Sequence, residues 1–116
     1  MNNKRRLEAI ASSSLSPPMT DTEQRAKIFA ALSDPTRLRI VELLAQHQEL
    51  SGSDVAAQAG VSLALFCHHS KILIEAGLLQ VRRDGQTKFN SLNRDLLFRC
   101  FSSFEGLCNQ NSDKIS

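Results

Sequence analysis

The most regular pattern of apolar and polar positions in the chain lies in residues 61–77, which read VSLALFCHHSKILIEAG. The apolar residues that share one helical face there are Phe66, Leu73 and Ala76. His68 and Lys71 fall on the other side, and Ser62 can cap the first turn by accepting a hydrogen bond from a backbone amide. We therefore predict a helix that begins after Ser62, buries one face and exposes the other.

Two shorter patterns flank this helix. Residues 51–60 predict a short helix closed by Gly60, so the two helices form a helix-turn-helix whose second member can enter a DNA major groove. Residues 81–89, VRRDGQTKF, contain two β-prone runs around Asp84 and Gly85, which is a strong signal for a hairpin. A helix-turn-helix followed by a basic hairpin is a winged helix, so the predicted fold is mainly α with a small β-hairpin.

Further helices are predicted before and after this unit. Residues 21–32 begin with a capping-box pattern and carry an apolar stripe that we expect to face a core. That stripe consists of Ala26, Phe29, Ala30 and Leu32. Asp34 and Pro35 start the next helix, because the carboxylate can accept first-turn amides and proline lacks an N–H that would go unbonded there. Residues 93–108 again have helical period, and their apolar stripe consists of Leu96, Leu97, Cys100, Phe101 and Phe104.

Three blocks in this order carry a resemblance to a known family. They are FAALSDPTRLRIVELL at 29–44, GVSLALFCHHSKILIEAGLL at 60–79 and VRRDGQTKFNSLN at 81–93. Residues 21–104 thereby resemble the ArsR/SmtB group of dimeric bacterial winged-helix repressors. The resemblance implies operator binding by a homodimer, relieved by a metal or a thiol-directed signal. It also implies dimerisation through the last helix with help from the first helices, the alternative being that the last helix packs only on its own domain.

Length and composition agree with one small regulatory domain. The chain has 116 residues, 41% of them hydrophobic, and a net charge of only +2, so the overall charge is a weak argument for nucleic acid. We expect an N-terminal basic extension and Ser/Pro linker at 1–20, a DNA-binding and dimerisation domain at 21–108 and a polar tail at 109–116. There is no membrane-length apolar run and no signal-peptide core, which favours a cytoplasmic protein without a membrane partner.

The resemblance also assigns the DNA contacts. The exposed start of the recognition helix, which makes base contacts in the family, maps here onto Ser62, Leu63, Ala64, Leu65 and His68. The three apolar residues at 63–65 depart from the small polar or amide side chains common there. They can contact a thymine methyl, so we expect specificity from methyl contacts, His68 and DNA shape. Phosphate or minor-groove contacts are predicted for Lys71, Arg82, Arg83, Gln86 and Lys88, unless the wing cations only form the solvated face of a hairpin.

Three positions inside the recognition helix also stand out. Ser70 occupies a site where the family usually has leucine, and Leu65 or Phe66 could fill the lost volume. His68 and His69 lie about 100° apart on a helix, which makes a shared metal ion difficult. We expect one of these histidines to contact DNA and the other to be packed and hydrogen-bonded.

The inducer is the open question in the sequence. The stretches that hold metal in metal-sensing relatives lack histidine here, and the helix before the turn also lacks cysteine, so no metal site and no cofactor are predicted. An odd count of three cysteines makes reduced thiols the default. Oxidation or modification of Cys67, Cys100 or Cys108 is the first hypothesis for induction. A soft metal or metalloid bound by cysteines across the dimer, or no role for cysteine, are the alternatives.

Functions of other classes find less support. The chain lacks a glycine-rich phosphate loop, a paired carboxylate cluster or a cysteine with histidine and acid in catalytic geometry, so we do not expect an enzyme. A winged-helix protein-interaction module is the other alternative, because the apolar run at 63–65 would suit a protein partner. Binding to double-stranded DNA therefore remains the main prediction.

Overall fold

The computed structural model describes residues 22–105, which fold as a winged helix-turn-helix, as predicted. Its elements in chain order are α1 (Thr22–Leu32), α2 (Pro35–Ala45), β1 (Leu50–Ser51), α3 (Gly52–Ala59), α4 (Leu63–Glu75), β2 (Leu79–Asp84), β3 (Thr87–Leu92) and α5 (Arg94–Ser102). The predicted extension at 1–20, the tail at 109–116 and Cys108 lie outside the described residues.

Short polar side chains begin the helices where the sequence predicts them. The Asp34 carboxylate accepts hydrogen bonds from the backbone amides of Thr36 and Arg37 at 2.9 and 3.1 Å, and Pro35 occupies the first helical position of α2. Ser62 caps α4 by accepting from the amide of Leu65 at 3.0 Å. These caps fix the residues at which α2 and α4 begin.

The turn between α3 and α4 depends on a glycine. Gly60 has a φ of +74°, a left-handed conformation that a residue with a Cβ rarely adopts. The amide of Val61 donates to the carbonyl of Ala56 at 3.0 Å and closes the end of α3. Both helices then pack on a common core, whose fully buried side chains include Ile28, Ile40, Leu44, Val55, Leu73, Leu78 and Cys100.

The wing is the hairpin β2–β3, extended by a third strand. Strands β2 and β3 pair antiparallel from Leu79↔Leu92 to Asp84↔Thr87, so the two-residue loop is Gly85-Gln86, one position later than predicted. Gly85 takes the positive φ of +64° that such a loop requires. Strand β1, which pairs Leu50 with Asn90, was not predicted because two residues are too short for a periodic pattern.

Helix α1 corrects the predicted stripe. The side chains that it buries are Ile28 and Ala31, while Ala26 and Ala30 are exposed and Leu32 is only half-buried. Phe29 is 38% exposed and turns towards the end of α5, where its ring lies 6.1 Å from that of Phe101 and 5.9 Å from that of Phe104. The helix therefore has apolar residues on two faces. The face with Ile28 and Ala31 packs in the core of the domain, and the face with Phe29 does not.

Helix α5 is shorter than the predicted segment. It ends at Ser102, and the hydroxyl of Ser103 donates to the carbonyl of Cys100 at 2.7 Å just beyond the last turn. Leu96 and Cys100 are buried, but Phe98 and Phe101 are 71% and 52% exposed. The predicted stripe is therefore divided, with Leu96 and Cys100 in the core and Phe101 and Phe104 exposed. We call the surface formed by Phe29, Phe98, Phe101 and Phe104 the aromatic surface.

Candidate nucleic-acid interface

Helix α4 and its N-cap residue present the predicted DNA contacts to solvent. The exposed residues are Ser62, Leu63, Ala64, Leu65, His68 and Lys71, while Phe66 and Leu73 on the opposite face are buried. Leu63 and Leu65 are 52% and 42% exposed, so two large apolar side chains at the start of this helix are open to solvent. The burial pattern thus separates a core face from a face that is open to a large partner.

The structure resolves the expectation about Ser70. Leu65 is exposed and does not fill the volume that a leucine at position 70 would occupy, so that part of the expectation is wrong. Phe66 is buried beside this site. The Ser70 hydroxyl donates to the carbonyl of Cys67 at 3.1 Å, which satisfies its buried polar group within the helix.

The four predicted wing residues differ in their surroundings. Arg83 and Lys88 are paired across the hairpin, and together with Gln86 they line a groove of about 760 Å³ between α4 and the wing. Neither Arg83 nor Lys88 makes a side-chain hydrogen bond or ion pair with another described residue. We call this space the α4–wing groove, and its charge is positive on the wing side.

Arg82 points to the other face of the hairpin. Its guanidinium forms two hydrogen bonds with the Glu49 carboxylate, at 2.6 and 3.3 Å, and lies 4.9 Å from the centre of the Phe89 ring. The Arg82 hydrogen bond lowers the pKa of Glu49, and Glu49 in turn raises the pKa of Arg82. The positive charge of Arg82 is thus neutralised by the Glu49 carboxylate of the same chain. The sequence does not reveal this difference between Arg82 and its neighbour Arg83.

The adjacent histidines face opposite environments, as expected. His68 is exposed on the outer side of α4. His69 is only 8% exposed, and its Nδ1 lies 3.2 Å from Nη1 of Arg37 on α2. Sequence reasoning did not identify Arg37, since a contact over 32 positions leaves no local signal.

The two described cysteines also differ. Cys67 is exposed on α4 and lines the α4–wing groove. Cys100 is completely buried, and burial raises the pKa of its thiol, an effect that the charge of Arg25 offsets only in part. Of the two, only Cys67 combines access to solvent with a position on α4, the predicted recognition helix.

Residues 22–105 contain neither a metal-binding cluster nor a membrane-spanning helix. No group of three or more His, Cys, Asp or Glu side chains in this range is arranged to hold a metal ion. None of the helices in the same range is long and apolar enough to cross a membrane.

Comparisons with known proteins match this architecture. A family model described as a helix-turn-helix domain matches residues 25–82. The uncharacterised HTH-type transcriptional regulator YceK of Bacillus subtilis is 40% identical over 77 residues, covering 66% of this chain and 77% of YceK. The arsenical resistance operon repressor of Staphylococcus xylosus is 31% identical, covering 81% of this chain and 82% of the repressor.

A solved structure extends the match to three dimensions. The ArsR-like transcriptional regulator from Rhodococcus sp. RHA1 superposes with a TM-score of 0.70 at 25% identity, over 80% of this chain and 87% of that one. By domain match, relatives and fold, the chain belongs to the ArsR/SmtB family of winged helix-turn-helix transcriptional regulators.

Proposed function

We propose that the chain is a homodimeric repressor that binds an inverted-repeat operator and releases it when the Cys67 thiol is modified. One observation carries the DNA-binding part. The exposed start of α4 lies beside Arg83 and Lys88, two cations without an intramolecular partner among the described residues. In winged-helix DNA binding, a recognition helix enters the major groove and cations beside it contact the phosphates of the DNA backbone. The exposed start of α4 and the two wing cations suit this arrangement.

Within that interface, the residues have different tasks. Leu63, Ala64 and Leu65 contact thymine methyl groups, and His68 contacts a base edge or a nearby phosphate. Lys71, Arg83 and Lys88 bind phosphates, and Gln86 at the wing tip reaches the minor groove. Arg82 holds the wing against Glu49 and contributes little to the phosphate contacts, because its charge is already matched.

The aromatic surface supports the homodimer. Phe98 and Phe101 present large apolar rings to solvent on α5, and Phe29 and Phe104 continue the same surface. A contiguous exposed aromatic patch is typical of an interaction site. A two-fold axis through this surface would bring one recognition helix from each protomer to the same side of the dimer.

Cys67 provides a direct route from thiol chemistry to DNA release. Its sulfur lines the α4–wing groove on the DNA-facing helix, so an added oxygen, sulfur or alkyl group would stand between α4 and the phosphates. A dimer-spanning cysteine site for a soft metal finds less support, since Cys100 is buried in the core.

The first experiment separates DNA binding from protein binding. Fluorescence anisotropy with the DNA upstream of its own gene, and with a scrambled duplex, is measured at two salt concentrations. We expect tighter binding to the upstream DNA and a steep loss of affinity with salt. Equal, salt-insensitive binding to both duplexes would favour the protein-interaction module instead.

The second experiment tests the inducer on the same complex. Peroxide, persulfide, zinc and arsenite are titrated separately, with and without reductant or chelator. We expect release by a thiol oxidant, reversal by reductant, and no release when the protein carries Cys67→Ser. If the Cys67→Ser variant dissociates from DNA at the same oxidant concentration as the parent, control through Cys67 is contradicted.

A further inference from the structure

Helix α4 contains a buried histidine that the proposed DNA contacts do not use. The His69 ring is 8% exposed although its neighbour His68 is open to solvent. Its Nδ1 lies 3.2 Å from Nη1 of Arg37 and 3.9 Å from Oδ2 of Asp34. The DNA-reading helix is therefore joined by a polar contact to the start of α2.

The chemistry of this contact determines the state of the ring. A guanidinium carries only N–H donors and stays protonated in proteins, so Arg37 can only donate to His69. Nδ1 must then offer its lone pair, which places the ring proton on Nε2 and leaves the imidazole neutral. His69 acts as a hydrogen-bond acceptor in the middle of α4.

Arg37 is itself held from two other directions. Its Nε donates to the carbonyl of Ala31 in the last turn of α1 at 2.7 Å, and its backbone amide donates to Asp34 at 3.1 Å. The guanidinium of Arg37, a residue in the first turn of α2, therefore contacts both the end of α1 and the middle of α4. A rigid group with fixed donor directions restricts both the position and the rotation of the helix that it contacts.

We propose that Arg37 and neutral His69 are positioning residues that hold the recognition helix at the rotation needed to read the operator. The inference rests on the proposed operator binding. In a dimer, the two α4 helices must match successive major grooves, and α1 carries Phe29 of the aromatic surface. A small rotation of α4 against α1 therefore disturbs the fit to the operator more than the general attraction to phosphates.

Two substitutions of similar size separate the acceptor from the bulk of the side chain. In His69→Asn the amide oxygen stands near the position of Nδ1 and can still accept from Arg37. In His69→Leu the volume is retained, but nothing accepts the Arg37 hydrogen bond. Kd values for the upstream DNA and for a scrambled duplex are measured over a series of salt concentrations, and thermal unfolding confirms that each variant is folded.

We expect His69→Leu to lose about tenfold of the preference for the upstream DNA while its affinity for scrambled DNA and its salt slope stay near those of the parent. His69→Asn should keep most of the preference. If His69→Leu retains the parent's preference, or if it weakens both duplexes equally, the positioning role is contradicted. A parent that prefers neither duplex would instead contradict the proposed function.

A measurement on the free protein tests the same contact without DNA. Long-range ¹H–¹⁵N NMR of the parent at neutral pH distinguishes a protonated from an unprotonated ring nitrogen. We expect His69 to show an unprotonated Nδ1 and a protonated Nε2. A proton on Nδ1, or a charged ring, would overturn the assignment even if the leucine variant does not fold.

Discussion

Two surfaces of the molecule expose large apolar side chains, and the charges around them differ. On the proposed DNA-binding side, Leu63 lines the same groove as Arg83 and Lys88, which have no partner among the described residues, and Leu65 is exposed on the same helix. On the aromatic surface, two nearby arginines contact other groups of the chain. Arg99 pairs with Asp95 at 3.0 Å, and Arg25 lies over the Phe104 ring at 5.7 Å.

The difference indicates two kinds of partner. Free cations mixed with methyl-bearing side chains suit a polyanion that presents thymine methyl groups, as a DNA major groove does. Aromatic rings beside engaged charges suit an apolar and nearly neutral partner, as a second copy of the same surface would be. Apolar exposure alone would have made the two surfaces look alike.

The largest effect is expected from a charge placed in the aromatic surface. Phe98 is 71% exposed, so Phe98→Glu should leave the fold of the protomer intact. We expect it to dissociate the dimer and to weaken operator binding by about 100-fold or more, since two linked half-sites become two separate binding events. Sedimentation and anisotropy measure both effects.

The matched control is Phe98→Leu, which keeps an apolar side chain at the same position. It should remain dimeric and bind the operator within a few-fold of the parent. A dimeric Phe98→Glu variant with parental affinity would show that the aromatic surface is not the dimer interface.

The next effect sharpens the description of the DNA-facing surface, by comparing neighbouring arginines. Arg83→Gln should weaken binding to all sequences similarly and reduce the slope of log K against log salt by about 0.9 per lost phosphate contact in each subunit. The double variant Glu49→Gln with Arg82→Gln removes one cation but leaves the net charge unchanged. We expect its slope to equal that of the parent.

These slopes come from anisotropy titrations over a series of salt concentrations. An unchanged slope for Arg83→Gln would show that this side of the wing does not touch phosphate. A reduced slope for the double variant would show that Arg82 does contact phosphate.

Alkylation of Cys67 tests whether a change at this thiol alters the affinity for operator DNA. Iodoacetate adds a carboxylate and iodoacetamide a neutral group of similar size. We expect the carboxylate to weaken operator binding by about tenfold, because a negative charge would lie a few ångströms from phosphate, and the neutral group to weaken it less. Mass spectrometry and anisotropy give the extent of labelling and its effect.

Two variants control this experiment. Cys67→Ser should be insensitive to iodoacetate. Cys100→Ser should respond as the parent does, because Cys100 is buried with a raised thiol pKa and we expect little labelling of it in the folded protein. Equal loss of DNA by Cys67→Ser and the parent would exclude a local effect at the recognition helix.

The smallest effect concerns the acid stability of the scaffold behind both surfaces. The hydrogen bond from the backbone amide of Arg37 holds the pKa of the Asp34 carboxyl below its usual value of 3.8, and the Thr36 amide lowers it further. The ionised Asp34 therefore stabilises the folded protein fully above the pKa that this carboxyl has in the unfolded chain. This contribution is lost as the pH falls through the lower pKa of the folded state. Asp34→Asn keeps a capping oxygen without the charge.

Thermal unfolding from neutral pH into the acid range below about pH 4 checks this sign. The midpoint of the parent should fall more steeply with acid than that of Asp34→Asn. Parallel curves would show that the charge of Asp34 contributes nothing to the stability of α2.

Local patterns predicted much of the fold and the outer part of the site. The caps at Asp34 and Ser62, the glycine turn at Gly60 and the exposed start of α4 follow from residues within one or two turns of each other. The division of α1 into two faces does not, because apolar residues occur at nearly every position from Ile28 to Leu32. Only the packed neighbours decide which face is buried.

Contacts between distant residues account for the rest. Glu49 engages Arg82 across 33 positions and Arg37 reaches His69 across 32. Neither pair has a spacing that periodicity can reveal. These contacts separate Arg82 from Arg83 and His69 from His68, so the roles of adjacent residues diverge through their tertiary partners.

The measurement that tests the account most directly is a hydroxyl-radical footprint of the upstream DNA, combined with the stoichiometry of the complex by sedimentation. We predict two protomers per duplex and two protected half-sites with centres about 34 Å apart on one face of the DNA. Phe98→Glu at the same concentration should lose both protections together. A single protected half-site bound by one protomer, or protection without sequence preference, would contradict a dimer that reads DNA through α4 and the wing.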